Sequence, residues 1–336
     1  MRIMVLDVPT TIGGGLTILT QFYQRAVEDT ENQWFFVVGR PGAQMPDTSN
    51  VRVLRFPEAK KNWGSRLYFD LVTAPKLAKE HHIDKLISLQ GSCLRGVECE
   101  QVLYLQQPHF FYDFPCSLTM EPRIWIYKNI LARMRAKDIK KADKLIVQIE
   151  STKKACAKRY GVPAEKFIIE APQCSVKFTK SYEKQEKNSF FYPPGAYLFK
   201  NVDVLIEAAR LLKAEGISNY EIILTLTGKE SKVSAMWEQA CRSEDLPVHF
   251  VGYVDFEKMG DYYAGSVLLF PSFVESFGLP LLEAKTCGSP VIAADLGYAH
   301  DVLGDYPNAS YFAPRDAATL AELMKKYIDS DAAARG

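Results

Sequence analysis

The chain has no Cys-x-x-Cys spacing, and its seven cysteines, Cys93, Cys99, Cys116, Cys156, Cys174, Cys241 and Cys287, are odd in number. This usage indicates neither a disulfide framework nor a zinc site and fits a reducing compartment. No apolar run approaches the length needed to cross a bilayer. The opening MRIMVLDVP carries one positive charge and a short apolar run, too little for an export signal, so it reads as the first strand of a cytoplasmic protein. Net charge is scarce too, at +1 over 336 residues, and no nucleic-acid partner is expected. The composition, 47% hydrophobic and 24% charged, is that of a globular protein, and the length predicts two domains.

The small net charge hides an asymmetry. Residues 1–180 carry 27 Lys and Arg against 18 Asp and Glu, whereas the remainder carries 14 against 22. The two halves therefore face different fields or different partners. Much of the excess lies in 123–159, with 12 basic and 3 acidic residues. Within it, RIWIYKNILARMRAKDIKK (123–141) places Ile124, Tyr127, Leu131 and Met134 at helical spacing, with Lys128, Arg135, Lys137, Lys140 and Lys141 on the other sides. Such a helix is either core-facing with a solvated charged side or a basic face for an anionic membrane surface.

Short apolar runs alternate with helical patterns along both halves. In the first, RIMVLDV, WFFVVG, DKLISL, QVLYLQ and DKLIVQ read as strands; in the second, EIILTLTG, VHFVGY, SVLLF and PVIAAD do. Helical stretches such as GLTILTQFYQRAVED, RLYFDLVTAPKLAKEHH and VDVLIEAARLLKAEG separate them. Alternation of this kind predicts an α/β protein with two Rossmann-like, doubly wound parallel-sheet domains facing a cleft. The expected division is residues 1–175, a polar and lysine-rich linker at 176–189, and residues 190–336.

PSFVESFGLPLLEAKTCGSPVIAAD (271–295) sets two carboxylates, Glu275 and Glu283, eight positions apart between two apolar runs. SVLLF and PVIAA have the continuous apolar character of strands buried on both faces. The intervening crossover helix is expected from about Leu279 to Cys287, with Gly278 allowing the turn, Pro280 suiting the first helical position and Gly288 as the stop. Glu275 then lies at the carboxyl end of a strand and Glu283 one turn into the next helix, beside amides that attract phosphate. Carboxylates there suit sugar hydroxyls, although solvated helix-end charges would look the same. A second candidate is Gly13, Gly14 and Gly15, between the first strand and a helix. A dinucleotide site would continue with a further glycine and an acid ending the second strand. Ile18 and the run Val37 to Arg40 stand there instead, so a tight turn or a different ligand loop is expected.

These residues resemble family-4 glycosyltransferases with the GT-B fold, over nearly the whole chain. FPSFVESFGLPLLEAKTCGSPVIAAD is similar to their Glu-x7-Glu segment, KNVDVLIEAARLL to their donor-binding lysine segment, VHFVGYV to their base-proximal strand and YLQQPHFFYDF to their acceptor-side strand end. The resemblance implies transfer of a sugar from a nucleotide diphosphate sugar, UDP- or GDP-linked, to a hydroxyl of a glycan or lipid-linked glycan, with retention and without a metal or other cofactor. Relatives of this kind build surface polysaccharides such as capsule. On that resemblance Glu275 contacts the donor sugar and Lys200 neutralises the leaving phosphate, the two catalytic positions. Glu283 holds the ribose. Amides from Ser276, Phe277, Gly278 and Leu279 face the diphosphate, Gly13 to Gly15 face it from the other domain, and Val251, Gly252 and Tyr253 lie near the base.

Three departures accompany the resemblance. Pro193 and Pro194 occupy the region where the family has a Gly-Arg, leaving Lys229 as the possible second cation. Gln106 and Gln107 stand where members have a histidine, with His109 slightly later. The sequence stops at DSDAAARG, where the family continues into terminal return helices, so either the sequence is truncated there or the return crossing is expected to be absent. A nucleotide-sugar epimerase or hydrolase of the same fold, or a two-lobed sugar-binding protein, is the alternative. The expected location is cytoplasmic, with a peripheral position at the inner face of the cell membrane, reached through 123–141, as the second reading of the basic helix.

Overall fold

The first apolar run becomes strand β1 (Arg2–Asp7), paired in parallel with β2 (Gln33–Val38) on one side and β4 (Lys85–Ser88) on the other. The remaining strands of this sheet are β3 (Val51–Arg55), β5 (Glu100–Tyr104), β6 (Lys144–Val147) and β7 (Phe167–Ile169), and the order is β3-β2-β1-β4-β5-β6-β7. The structure, a computed structural model, describes residues 1–10, 14–39, 45–172, 180–185 and 188–329. They fall into two units, residues 1–111 with 129–172, and residues 112–128 with 173–336. Both sheets are parallel and flanked by helices, the two-domain Rossmann-like architecture consistent with the GT-B fold.

The second sheet contains β8 (Asn188–Tyr192), β9 (Tyr220–Leu224), β10 (Val248–Phe250), β11 (Val267–Phe270), β12 (Val291–Ala294) and β13 (Ala309–Phe312), in the order β10-β9-β8-β11-β12-β13. Every residue of β11 and β12 is buried, as continuous apolar runs between two helical layers require. The chain leaves β8 toward β9 and β10 on one side and returns to β11, β12 and β13 on the other. That reversal opens a crevice at the carboxyl ends of β8 and β11, where ligands of such sheets bind. In the first sheet the reversal lies between β1 and β4.

Four strands, β3, β7, β8 and β13, were not read from the sequence, being short, at a sheet edge or polar at the start. β3, β7 and β13 are edge strands, and Arg52, Arg55, Ile168 and Ile169 are exposed on them. β8 is central but starts at Asn188, inside the stretch that reads as linker. Its polar start is used: Asn188 donates to the Asn219 carbonyl and Ser189 to Glu221.

Residues 112–128 belong to the second unit although they lie far upstream of its other residues. Phe114, Tyr112, Cys116 and Ile124 cluster with Phe199, Phe273 and Val274, so burial of these apolar side chains fixes the excursion. The basic helix is broken into Pro122–Ile126, a wide π turn at Tyr127–Leu131, and Ala132–Lys141. The wide turn shifts the helical register, so Met134 of the expected apolar stripe is exposed together with Ile126 and Ile130.

Candidate functional site

Lys200 and Glu275 meet at the carboxyl edge of β8 and β11. Lys200 ends a single 3-10 turn, Leu198–Lys200, and Glu275 lies in the loop after β11. Lys200 Nζ is 2.6 Å from Glu275 Oε1, and the side chains are only 18% and 13% exposed. Two backbone devices hold the loops together. The Phe273 amide donates to the Phe199 carbonyl at 2.8 Å. Asn201, left-handed at φ 57°, donates through Nδ2 to the carbonyls of Pro271 (3.0 Å) and Pro314 (2.7 Å).

Behind the ion pair stand two wholly buried tyrosines. Tyr192 OH lies 3.0 Å from the Lys200 carbonyl and 2.8 Å from Ser272 Oγ, and Tyr298 OH donates to the Ser272 carbonyl at 2.6 Å. Burial, and next the charge of Glu275, push both phenols well above their ordinary range, so they remain neutral donors.

The helix Leu279–Cys287 starts directly after the Glu275 loop. Gly278 has φ 96°, and a Cβ there would stand 3.1 Å from Leu281 Cδ1, so the turn demands glycine. Pro280 occupies the first turn and Gly288, at φ 75°, ends the helix. Among the described residues the amides of Ser276, Phe277, Gly278 and Leu279 donate no hydrogen bond, as is usual of the groups that lead into a helix. Glu283, one turn in, is buried, and its Oε2 accepts from Tyr263 OH at 2.6 Å. Burial pushes its carboxyl above the usual carboxylate range, and the Tyr263 hydroxyl pulls part of that back.

The other positions of this unit lie around the neighbouring strand ends. The Val251 and Gly252 amides donate to the carbonyls of Leu224 and Leu226, which extends the β9–β10 pairing past Phe250 and occupies those two donors. Gly252 has φ 79°, and Tyr253 is exposed. Lys229 is exposed on the turn after β9, its amide bonded to Thr227 Oγ1.

In the first unit, Gly14 and Gly15 open the helix Gly14–Glu28, and Gly13 lies outside the described residues. The structure brings Gly15 and Gln106 together: a Cβ on Gly15 would stand 3.3 Å from Gln106 Oε1 and 3.2 Å from Thr10 Oγ1. Both border a cavity of about 340 Å³ with Gln107, Gln90, Tyr104 and Arg135. His109, in the turn Pro108–Phe110, is not among its lining residues. Asp7, the last residue of β1, is 1% exposed, and its Oδ2 has no hydrogen-bond partner among the described residues. Burial pushes it up to about 6 despite Thr10, Arg66 and Lys60.

Sequence reasoning passed over Tyr192, Ser272, Asn201, Tyr263, Tyr298 and Asp7. Only Asp7 left a mark in the sequence, a carboxylate closing an otherwise apolar strand. Among the described residues no group of three or more His, Cys, Asp or Glu side chains is placed to hold a metal ion.

Residues 176–335 match the family model "Glycosyl transferases group 1". The O-antigen chain mannosyltransferase B of Escherichia coli is 30% identical over 161 residues, 47% of this chain and 40% of that protein. The O-antigen chain mannosyltransferase RfbU of Salmonella typhimurium is 26% identical over 203 residues, 60% of this chain and 54% of that protein. The chain thus spans about half the length of these relatives. Among solved structures, the sucrose-phosphate synthase of Thermosynechococcus elongatus superposes with a TM-score of 0.74 at 16% identity, covering 98% of this chain and 90% of that one. The Anabaena protein HepE, solved in complex with UDP-glucose, superposes with a TM-score of 0.67 at 16% identity and the same coverages. The match over residues 176–335 and the likeness to the O-antigen mannosyltransferases relate the chain to the glycosyltransferases, and the superpositions give it the fold of the solved GT-B structures.

Proposed function

We propose that the protein transfers a sugar from a nucleotide diphosphate sugar to a hydroxyl of a glycan or lipid-linked glycan, as a step in polysaccharide synthesis, with retention and without a metal. One observation carries this reading: the Lys200–Glu275 pair lies at the sheet's reversal point, next to the amides that open the helix Leu279–Cys287, inside the matched domain. In this reading the amides of Ser276 to Leu279 and the Lys200 ammonium take the diphosphate. Lys200 stabilises the charge that grows on the leaving phosphate as the glycosidic bond breaks, an electrostatic role. Glu275 orients Lys200 and accepts from donor-sugar hydroxyls, and Glu283 accepts from the ribose. Tyr263, already bonded to Glu283, fixes that carboxyl for the task. Gln106 and Gln107 bind the acceptor, and they serve as hydrogen-bonding groups because an amide side chain is no base at neutral pH.

The basic helix around 123–141 supports work at the inner face of a membrane, with Ile126, Ile130 and Met134 exposed beside Arg133, Lys137, Lys140 and Lys141. Incubating the protein with UDP- and GDP-sugars, with and without glycan acceptors, tests the reading. Nucleotide diphosphate released only when acceptor is present supports transfer. Release at the same rate without acceptor means hydrolysis, and conversion of the sugar without release means epimerisation.

A further inference from the structure

A second surface stands apart from the site. Residues 63–80 form one continuous helical stretch: Trp63–Tyr68, a wide π turn at Phe69–Thr73, and Ala74–Glu80, started by the Asn62 side chain, which accepts from the Ser65 amide. Its inner side follows ordinary rules, with Phe69, Ala74, Pro75 and Ala78 buried. The outer side does not. Trp63, Leu67, Tyr68, Leu71 and Val72 are 73%, 58%, 63%, 48% and 45% exposed, a contiguous set at helical spacing. An isolated exposed leucine needs no explanation, but five large apolar side chains on one face form a patch with a purpose.

Charge selects the occupant. Exposed Lys61 precedes the apolar face and exposed Lys79 follows it, while Lys60 donates to the Pro9 carbonyl at 3.1 Å and Lys76 pairs with Glu80 at 3.5 Å; over residues 57–80 five basic residues stand against three acidic. Glu58 and Glu80 offset only part of each end. The remaining acid, Asp70, is drawn aside by Arg66 at 2.8 Å and by Gln90. A second copy docked on this face would bring net-positive end against net-positive end, whether the helices ran parallel or antiparallel. An anionic lipid surface meets the pattern directly: apolar and aromatic side chains enter the interface while lysines at both ends reach the headgroups. We infer that the face formed by Trp63, Leu67, Tyr68, Leu71 and Val72 is a membrane-docking surface for anionic bilayers, separate from the basic face at 123–141 and independent of the reaction assigned above.

The test uses the full chain with vesicles of phosphatidylethanolamine and phosphatidylglycerol, and with phosphatidylcholine vesicles as the neutral control. In a Trp125→Phe background, which removes the tryptophan of the other helix, the protein is expected to co-sediment with the anionic vesicles, with a blue shift of tryptophan emission that disappears when Trp63→Phe is added. The variant Leu67→Ser/Leu71→Ser should lose at least tenfold in vesicle affinity while keeping the wild-type melting temperature, because both side chains already face water. Changing Arg133, Arg135, Lys137, Lys140 and Lys141 to Gln should leave the Trp63 blue shift in place, which separates this surface from the other helix. Undiminished sedimentation of Leu67→Ser/Leu71→Ser, or a blue shift that survives Trp63→Phe, overturns the inference. So does concentration-dependent self-association that this variant abolishes, which would make a second copy the occupant.

Discussion

Breaking the Lys200–Glu275 pair gives a quantitative handle on the site. The two charged atoms are 2.6 Å apart and less than a fifth of either side chain is exposed. A fully buried pair costs about 3–5 kcal/mol when one partner is removed, because the other is left charged in a poor solvent, whereas an exposed pair is worth about 1 kcal/mol or less. Partial exposure puts this pair between the limits, so Lys200→Met should cost about 2 kcal/mol and Glu275→Gln slightly less. The double variant leaves no orphaned charge and should cost little more than either single change, a coupling of about 1–2 kcal/mol. Urea unfolding of the four proteins, with equal m-values, measures this directly. A second readout moves the other way. Glu275→Gln frees the Lys200 ammonium from its counter-charge, so the bare nucleoside diphosphate should bind several-fold more tightly even as transfer falls, while Lys200→Met weakens binding and lowers turnover by about a hundredfold. Additive stabilities within about 0.5 kcal/mol, together with equal nucleotide affinities, would refute the pairing argument.

Three other outcomes follow from the same structure. Asp7, held up to about 6 against an ordinary 3.8, destabilises the fold above that folded value and not below the unfolded one. Asp7→Asn should therefore stabilise the protein by about 2–3 kcal/mol at pH 7–8 and by nothing near pH 3.5, so urea unfolding across that range should show the two curves converging as pH falls. Gly278→Ala forces a Cβ into φ 96° and to 3.1 Å from Leu281 Cδ1, which should cost about 1–2 kcal/mol in a thermal melt and weaken nucleotide binding through the displaced amides. Glu283→Ala should weaken binding of the bare nucleotide by about tenfold or more, one lost charge-assisted hydrogen bond. Tyr263→Phe should reproduce part of that loss in titration calorimetry, and unaltered affinity in both variants would remove Glu283 from the donor site.

The crossover from β11 to β12 was legible residue by residue. Runs buried on both faces, a Gly-Leu-Pro turn and a closing glycine leave one conformation that satisfies all of them, and the helix runs from Leu279 to Cys287. Edge strands were harder because β3 and β7 bear arginines or exposed isoleucines, and half-solvated strands lack an unbroken apolar run. The pairing of Lys200 with Glu275 was beyond local pattern: the partners are 75 positions apart, and only the β8–β11 adjacency brings them together. Tyr263, 20 positions from Glu283, is invisible for the same reason. The sequence also marked 123–141 as amphipathic and 66–82 as merely helical, without saying which side faces water. In the second of these the apolar side does, because Phe69, Ala74 and Ala78 already fill the space against the sheet.

The central claim is that the β8–β11 edge binds a nucleotide diphosphate sugar through Lys200 and the amides of Ser276 to Leu279. Thermal unfolding across a panel of UDP- and GDP-sugars, their nucleoside monophosphates and free sugars addresses it most directly, since a ligand that binds only the folded state raises the melting temperature with concentration. The account predicts stabilisation by at least one nucleotide diphosphate sugar and its diphosphate, little by the monophosphate, none by the free sugar, and loss of the effect in Lys200→Met. Equal stabilisation of wild type and Lys200→Met, or no response to any nucleotide diphosphate sugar, would contradict it.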